Sequence, residues 1–178
     1  MALTRLGLNQ SVNLASNVTG TLPTGNGGTG ATSFSPGKVL QVVEGTTYTS
    51  TSSTSSTYAD TSLSASITPS STSNKVLITL SHFVHCADAN NYCGIKLLRG
   101  STELAYIQDL VGYTGNTERD TVGITSTYLD TPSSTSALTY KTQFANITAS
   151  GTVTIQADEG SGVERGRGSI VLMEIAGW

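Results

Sequence analysis

The sequence is poor in charged residues, and this scarcity narrows the classes of protein to which the chain can belong. Only 12% of its 178 residues are Asp, Glu, Lys or Arg, which is about half of the average for globular domains. Nine Lys and Arg residues stand against twelve Asp and Glu residues, for a formal net charge of −3. No excess of basic side chains is available to bind a phosphate backbone, so we expect no nucleic-acid partner.

Long apolar runs and cysteines are also scarce. No stretch approaches the roughly 18 apolar residues of a membrane span, and Met1–Gln10 lacks the apolar segment of a signal peptide. We therefore expect folding in a cytoplasm and no membrane insertion. The two cysteines, Cys86 and Cys93, are too few to hold a secreted scaffold together and should start as thiols.

The sequence contains no nucleophile elbow, Walker motif, zincin motif or paired-carboxylate signature, so we predict no catalytic residue and no cofactor. Gly25–Gly30 satisfies the literal G-x-G-x-x-G pattern of dinucleotide-binding folds. However, no apolar strand precedes it, Pro23 stands just before it, and no helical segment follows. We interpret these glycines as a hinge, formed by Gly25, Gly27, Gly28 and Gly30.

His82, His85, Cys86 and Cys93 form the densest group of side chains that could bind a metal. Side chains alternate between the two faces of a strand, so His82 should point with Leu80 and His85 to the opposite side. This arrangement argues against a tetrahedral zinc site, and we predict none. A disulfide between the two cysteines is favoured over zinc, provided that their Cα atoms come within bonding distance.

From Lys38 onward the sequence shows the alternation of β-strands, interrupted by Gly, Pro, Asn and Ser turns. No window has the composition and caps of a sizeable helix. We predict an all-β fold, an antiparallel jelly-roll-like sandwich over residues 38–178, with eight or nine strands. The predicted strands are Lys38–Val43, Tyr58–Ile67 after a Ser/Thr-rich loop, Lys75–His85, Tyr92–Arg99, Glu103–Gln108, Thr121–Leu129, Leu138–Ile147, Thr152–Ala157 and Ser169–Ile175.

Residues 1–37 differ from the rest, with one charge and one aromatic side chain. The glycines and Pro23 exclude a regular helix or central strand from Gly20 onward, so we predict an extended N-terminal arm. Its recurring apolar residues are too regular for a solvated linker, and we expect them to be buried in an assembly as an anchor. These anchor residues are Leu3, Leu6, Leu8, Val12, Leu14, Val18 and Leu22.

Two polar loops between the predicted strands, residues 112–120 and 158–168, could contact a sugar or a protein. Tyrosines such as Tyr92, Tyr106, Tyr128 and Tyr140 could also offer stacking surfaces, although aromatic residues in a sandwich more often belong to the core. The residues predicted to face a receptor are Tyr113, Asn116, Glu118, Arg165 and Arg167.

Several short segments together resemble one group of proteins. They are Met1–Thr4, Asn17–Pro23 followed by Asn26–Gly30, Lys38–Val43, Leu63–Val76, Leu97–Gly100 and Leu172–Ile175. In their order and spacing they are similar to tail fibres and related appendage proteins of tailed phages, especially phages of marine and cyanobacterial hosts. The resemblance covers most of the chain. The chain lacks the shaft of repeats or heptads that a long fibre has between arm and head.

The resemblance implies a structural protein of the virion, commonly a homotrimer, assembled in the host cytoplasm. Its N-terminal part would attach to other virion proteins of the tail, neck or capsid. Its C-terminal head would contact a host surface glycan or protein, as in a short tail fibre. The alternative is a capsid decoration or head-fibre protein that stabilises the shell or projects from it. A glycan-cleaving enzyme and a free carbohydrate-binding module are the contrasting hypotheses from other classes.

Overall fold

The computed structural model describes residues 38–113, 120–156 and 166–177. Within these ranges the chain forms ten β-strands, and none of the described residues is helical. No helix among them could therefore cross a membrane. The strands are β1 (Val39–Thr47), β2 (Thr51–Ser53), β3 (Ala59–Ile67), β4 (Lys75–Cys86), β5 (Cys93–Arg99), β6 (Thr102–Val111), β7 (Asp120–Asp130), β8 (Leu138–Asn146), β9 (Val153–Ile155) and β10 (Gly168–Ile175).

The strands form two antiparallel sheets that pack face to face. In the first sheet β4 is central, with β7 along one side and β10 followed by β9 along the other. Strand β1 pairs with β10, and β2 pairs with β9. The second sheet has the order β3-β8-β5-β6. The predicted all-β antiparallel sandwich is thus confirmed.

Alternation along the strands creates the core between the sheets. Strand β4 buries every second side chain, from Val76 to Cys86, and exposes or half-exposes the others. Its buried side chains meet those of β3, β5, β8 and β10 in two adjoining clusters. A fully buried aliphatic side chain stabilises a fold by about 1.5–3 kcal/mol. Because alternate side chains are buried in this core, the remaining side chains of the strands lie on the two outer faces of the sandwich.

Some predicted boundaries differ from those observed. Strand β1 continues to Thr47, and β6 to Val111, beyond the apolar residues that marked them. Inside the Ser/Thr run, Thr51–Ser53 forms β2, because it can pair with Val153–Ile155. Pairing with a distant segment is not visible in local composition. The predicted arm, with its anchor residues and hinge glycines, lies outside the described residues.

A buried carboxylate fastens the last strand to the loop between β3 and β4. Glu174 is 1% exposed and accepts hydrogen bonds from Gln41 Nε2 at 2.6 Å, from the Ser70 amide at 2.7 Å and from Asn74 Nδ2 at 2.6 Å. Burial by itself raises the pKa of Glu174, but these donors outweigh it and lower the pKa to about 2. These neutral donors therefore keep the carboxylate ionised.

A second polar network crosses the core. His82, which is 1% exposed, lies 2.9 Å through Nε2 from Thr142 Oγ1 and 2.7 Å through Nδ1 from Gln156 Nε2. Thr142 Oγ1 in turn lies 2.5 Å from Thr61 Oγ1. Burial lowers the pKa of His82 to about 4, although the Gln156 contact opposes this shift. The imidazole is therefore neutral at pH 7 and links the two sheets.

Candidate functional site

The outer face of the second sheet carries two ion pairs, Lys96 with Glu103 and Lys141 with Asp60. In one row across the sheet, Tyr106 pairs with Lys96, Lys96 with Gln143, and Gln143 with Asp60. The next row includes Glu103, Leu98 and Lys141. We call this surface the polar face, defined by Asp60, Lys96, Glu103, Tyr106, Lys141 and Gln143.

Two tyrosines hold one of the lysines of the polar face. Lys96 Nζ lies 4.1 Å from the ring centroid of Tyr58 and 4.5 Å from that of Tyr106. The two rings are 6.2 Å apart in an edge-to-face arrangement, and Glu103 accepts a hydrogen bond from Lys96 at 2.7 Å. That hydrogen bond raises the pKa of Lys96. The ring of Tyr106 is thereby fixed in place while 54% of the residue remains exposed.

The sequence makes room for this arrangement at Gly94. A Cβ atom at this position would overlap the hydroxyl of Tyr58 and the side chain of Ile147. Gly94 pairs with Ala145, the residue after Phe144 on β8. It lies on the same face of β5 as Lys96. Its missing side chain therefore lets Tyr58 reach across the sheet to the lysine.

The second lysine of the polar face is held by a carboxylate and an amide. Lys141 Nζ donates to Asp60 Oδ2 at 2.9 Å, and Gln143 Nε2 donates to Asp60 Oδ1 at 2.9 Å. The hydrogen bond from Lys141, followed by that from Gln143, lowers the pKa of Asp60. Both oxygens of this carboxylate thus have fixed partners and accept hydrogen bonds.

An open cavity of about 540 Å³ lies on this face. The two-residue turn Gly100–Ser101 joins β5 to β6 and forms one end of the cavity. Gly100 has a φ of +59°, as the tight turns of β-hairpins require, and its amide donates to the Thr139 carbonyl at 2.7 Å. The cavity is lined by Leu98, Gly100, Ser101, Thr139, Lys141 and Gln143.

The predicted receptor-facing residues do not form one site in the described structure. Tyr113 is 56% exposed, and its hydroxyl donates to Asn90 Oδ1 at 3.2 Å beside the ring of Tyr92. Arg167 pairs with Glu44 of β1 instead. The other predicted residues, Asn116, Glu118 and Arg165, lie outside the described residues.

Among the candidate tyrosines, the structure separates core from surface. Tyr140 is fully buried and donates to Asp130 Oδ2 at 2.7 Å, while Tyr128 packs against the core. Tyr106 is the exposed one on the polar face. Sequence reasoning missed Lys96, although a lysine within the apolar run of β5 marks the outward position of an otherwise buried strand.

The two histidines lie on opposite faces of β4, and the two cysteines lie in the core. His82 is buried and His85 faces outward, 3.0 Å from Thr121 Oγ1, so the predicted opposite orientation is confirmed. Cys86 and Cys93 are both buried and are free thiols in this structure. Their burial in the core raises the pKa of Cys86 to about 11 and also raises that of Cys93. The described residues contain no cluster of His, Cys, Asp and Glu that could hold a metal ion.

The outer face of the first sheet has a different character. One row, in register across β1, β10, β4 and β7, consists of Val42, Met173, Leu77 and Leu129. Its two ends, Val42 on β1 and Leu129 on β7, are 58% and 49% exposed. We call this the apolar row. The next outward row consists of Glu44, Val171, Thr79 and Thr127. The row beyond it consists of hydroxyl side chains, with Ser81 Oγ 2.9 Å from Ser169 Oγ.

No protein-family model matches the sequence, and no curated protein matches it either. The function must therefore be inferred from the chain's own residues, above all from the contrast between its apolar row and its polar face.

Proposed function

We propose that the protein is a non-enzymatic structural protein of a tailed phage, acting as a short tail fibre or similar appendage. Residues 1–37 would anchor it to other virion proteins, and the β-sandwich would face the host surface. The observation that carries this proposal is that one outer face of the sandwich carries the apolar row, whereas the other carries the charged side chains of the polar face. Such a head can assemble through one face and bind through the other. The phage-like segments of the sequence support the same role.

The strand order supports a jelly roll as the finer description of the head. Strands β1, β10, β4 and β7, extended by the short strands β9 and β2, form one sheet, while β3, β8, β5 and β6 form the other. Most consecutive strands thus alternate between the sheets, as in the double-sheet jelly rolls of many virion proteins. An extended arm before β1 completes the proposed architecture.

The apolar row supports a homotrimer. Exposed apolar side chains in a continuous row mark surfaces that proteins bury against a partner. Because the row ends in apolar side chains at both edges of the sheet, Val42 of one copy can meet Leu129 of the next around a threefold axis. In a trimer, several weak host contacts would add up to strong attachment.

The carboxylates of the polar face argue for binding rather than glycan cleavage. Asp60 lies on β3 and Glu103 on β6, three strand spacings or about 14 Å apart in backbone position. Carboxylate pairs of glycosidases are about 5–9.5 Å apart. Each of these two carboxylates is also paired with a lysine, which favours a binding surface.

Electron microscopy of phage particles that carry an antibody label on this protein would test the proposed role. We expect label at the tail or neck, and expect deletion of residues 1–37 to abolish incorporation while the isolated head stays folded. Label on the capsid would instead support a decoration or head-fibre protein. Particles without label, from a phage that encodes the chain, would contradict a virion role altogether.

A further inference from the structure

The polar face presents an aromatic ring that a ligand could stack on. Lys96 and Tyr58 hold Tyr106 in position, and more than half of the residue is still exposed. A fixed ring loses little conformational entropy when a ligand binds. Tyrosine combines an apolar ring with a polar hydroxyl, so it suits a ligand that has both C–H and O–H groups.

The cavity lies on the same face as this ring, with Lys96 between Tyr106 and the cavity-lining Gln143, and offers both kinds of hydrogen-bonding groups. Ser101 and Thr139 each carry a hydroxyl, and Gln143 an amide, at its wall. Asp60 and Glu103 supply carboxylate oxygens at opposite sides of the face, each already held by a lysine. A sugar hydroxyl donates one hydrogen bond and accepts others, so it matches this mixed set. A ligand that could only accept or only donate hydrogen bonds would pair with only part of these groups.

The charges of the face favour a neutral ligand. Its two lysines are balanced by two carboxylates, so an anionic ligand would gain little overall and would meet Asp60 and Glu103. The cavity, at about 540 Å³, falls within the roughly 300–1,000 Å³ of sites for small ligands. Tyr106 and Gln143 are two strand spacings apart, about 10 Å. A ligand that contacts both must therefore contain more than one sugar ring.

We infer that the polar face binds a neutral oligosaccharide, which stacks on Tyr106 and places its hydroxyl groups against Thr139, Lys141 and Gln143. This inference rests on the proposed host-facing role and specifies its receptor as a glycan. It also moves the contact from the predicted loops to the flat surface of the second sheet.

Calorimetric titration of the full chain would test the inference. The probes are oligosaccharides of glucose, galactose and mannose, together with uronic-acid oligosaccharides of the same length. We expect the wild type to bind at least one neutral probe, and Tyr106→Ala to weaken that binding roughly tenfold. Tyr48→Ala is the matched control, because Tyr48 is another exposed tyrosine, 51% accessible, outside the polar face. We expect it to bind like the wild type.

Several outcomes would overturn the inference. They are no binding to any neutral probe, preference for the uronic acids alone, and equal binding by wild type and Tyr106→Ala. Loss of binding in Tyr113→Ala with Tyr106→Ala unaffected would place the site at the loops. Incorporation of the same variants into particles separates the two proposals. Particles that contain the protein without sugar binding refute only the glycan site, whereas sugar binding without incorporation refutes only the virion role.

Discussion

The two outer faces of the sandwich rest on the same core but carry different side chains. On the first sheet, Val42 and Leu129 end a row without formal charge. On the second sheet, the corresponding outward positions carry Lys96, Lys141 and Asp60. Packing constrains the inward positions of both sheets, so the difference between the two faces arises at their outward positions. The residues at outward positions, rather than those of the core, therefore indicate what each face binds.

The comparison predicts that a charge in the apolar row breaks assembly, and this is the largest effect expected. Leu77→Glu would put a carboxylate in the middle of the row, where burial against another copy would cost several kcal/mol. We expect the proposed trimer to dissociate to monomers, as measured by light scattering. Ser64→Glu, an exposed outward position on the second sheet, is the control and should stay trimeric.

Cysteine cross-linking sharpens the same prediction. The native thiols are buried, so cysteines introduced at the surface would react selectively. With Val42→Cys and Leu129→Cys combined, oxidation should link three copies covalently, whereas neither single variant should cross-link. Disulfide dimers of a single variant would indicate a twofold contact. A trimer that survives Leu77→Glu and forms no cross-link would show that the row is not the interface.

The core between the two faces should be sensitive to acid through His82. Its folded pKa of about 4 lies below the ordinary value of 6.5, so the unfolded chain binds a proton first as the pH falls. The contribution of neutral His82 to the free energy of unfolding is therefore fully present above about pH 6.5. It falls by roughly 3 kcal/mol between pH 6.5 and 4. Urea unfolding at pH 7, 5.5 and 4 would measure this loss.

A substitution isolates the contribution of His82. His82→Gln removes the titrating group, so the free energy of unfolding of this variant should change little between pH 6.5 and 4. Glu174 acts in another window, because its pKa is depressed to about 2 and its contribution is lost only below about 4.5. An unchanged slope in His82→Gln would assign the acid sensitivity to other groups.

The sequence predicted the fold better than the site for a physical reason. Alternation in a segment such as Lys75–Cys86 is local and reports directly on burial. The polar face, by contrast, exists only because four distant strands align Asp60, Gln143, Lys96 and Tyr106 in one row. Loop composition singled out Tyr113 and Arg167, but nothing local indicates that Tyr113 contacts the loop between β4 and β5 whereas Arg167 pairs with β1.

The smallest expected effect concerns the ion pair between Lys141 and Asp60, which distinguishes a binding surface from a stabilising one. The pair is partly exposed, with Asp60 at 55%, and such pairs contribute about 0.2–1 kcal/mol. In a double-mutant cycle with Lys141→Met and Asp60→Asn, we expect a coupling in this range by urea unfolding. In both single variants, the loss in free energy of sugar binding should exceed the loss in free energy of unfolding. A coupling energy above about 2 kcal/mol, with sugar binding unchanged, would mean that the ion pair stabilises the fold and does not serve binding. The two faces would then no longer differ in function.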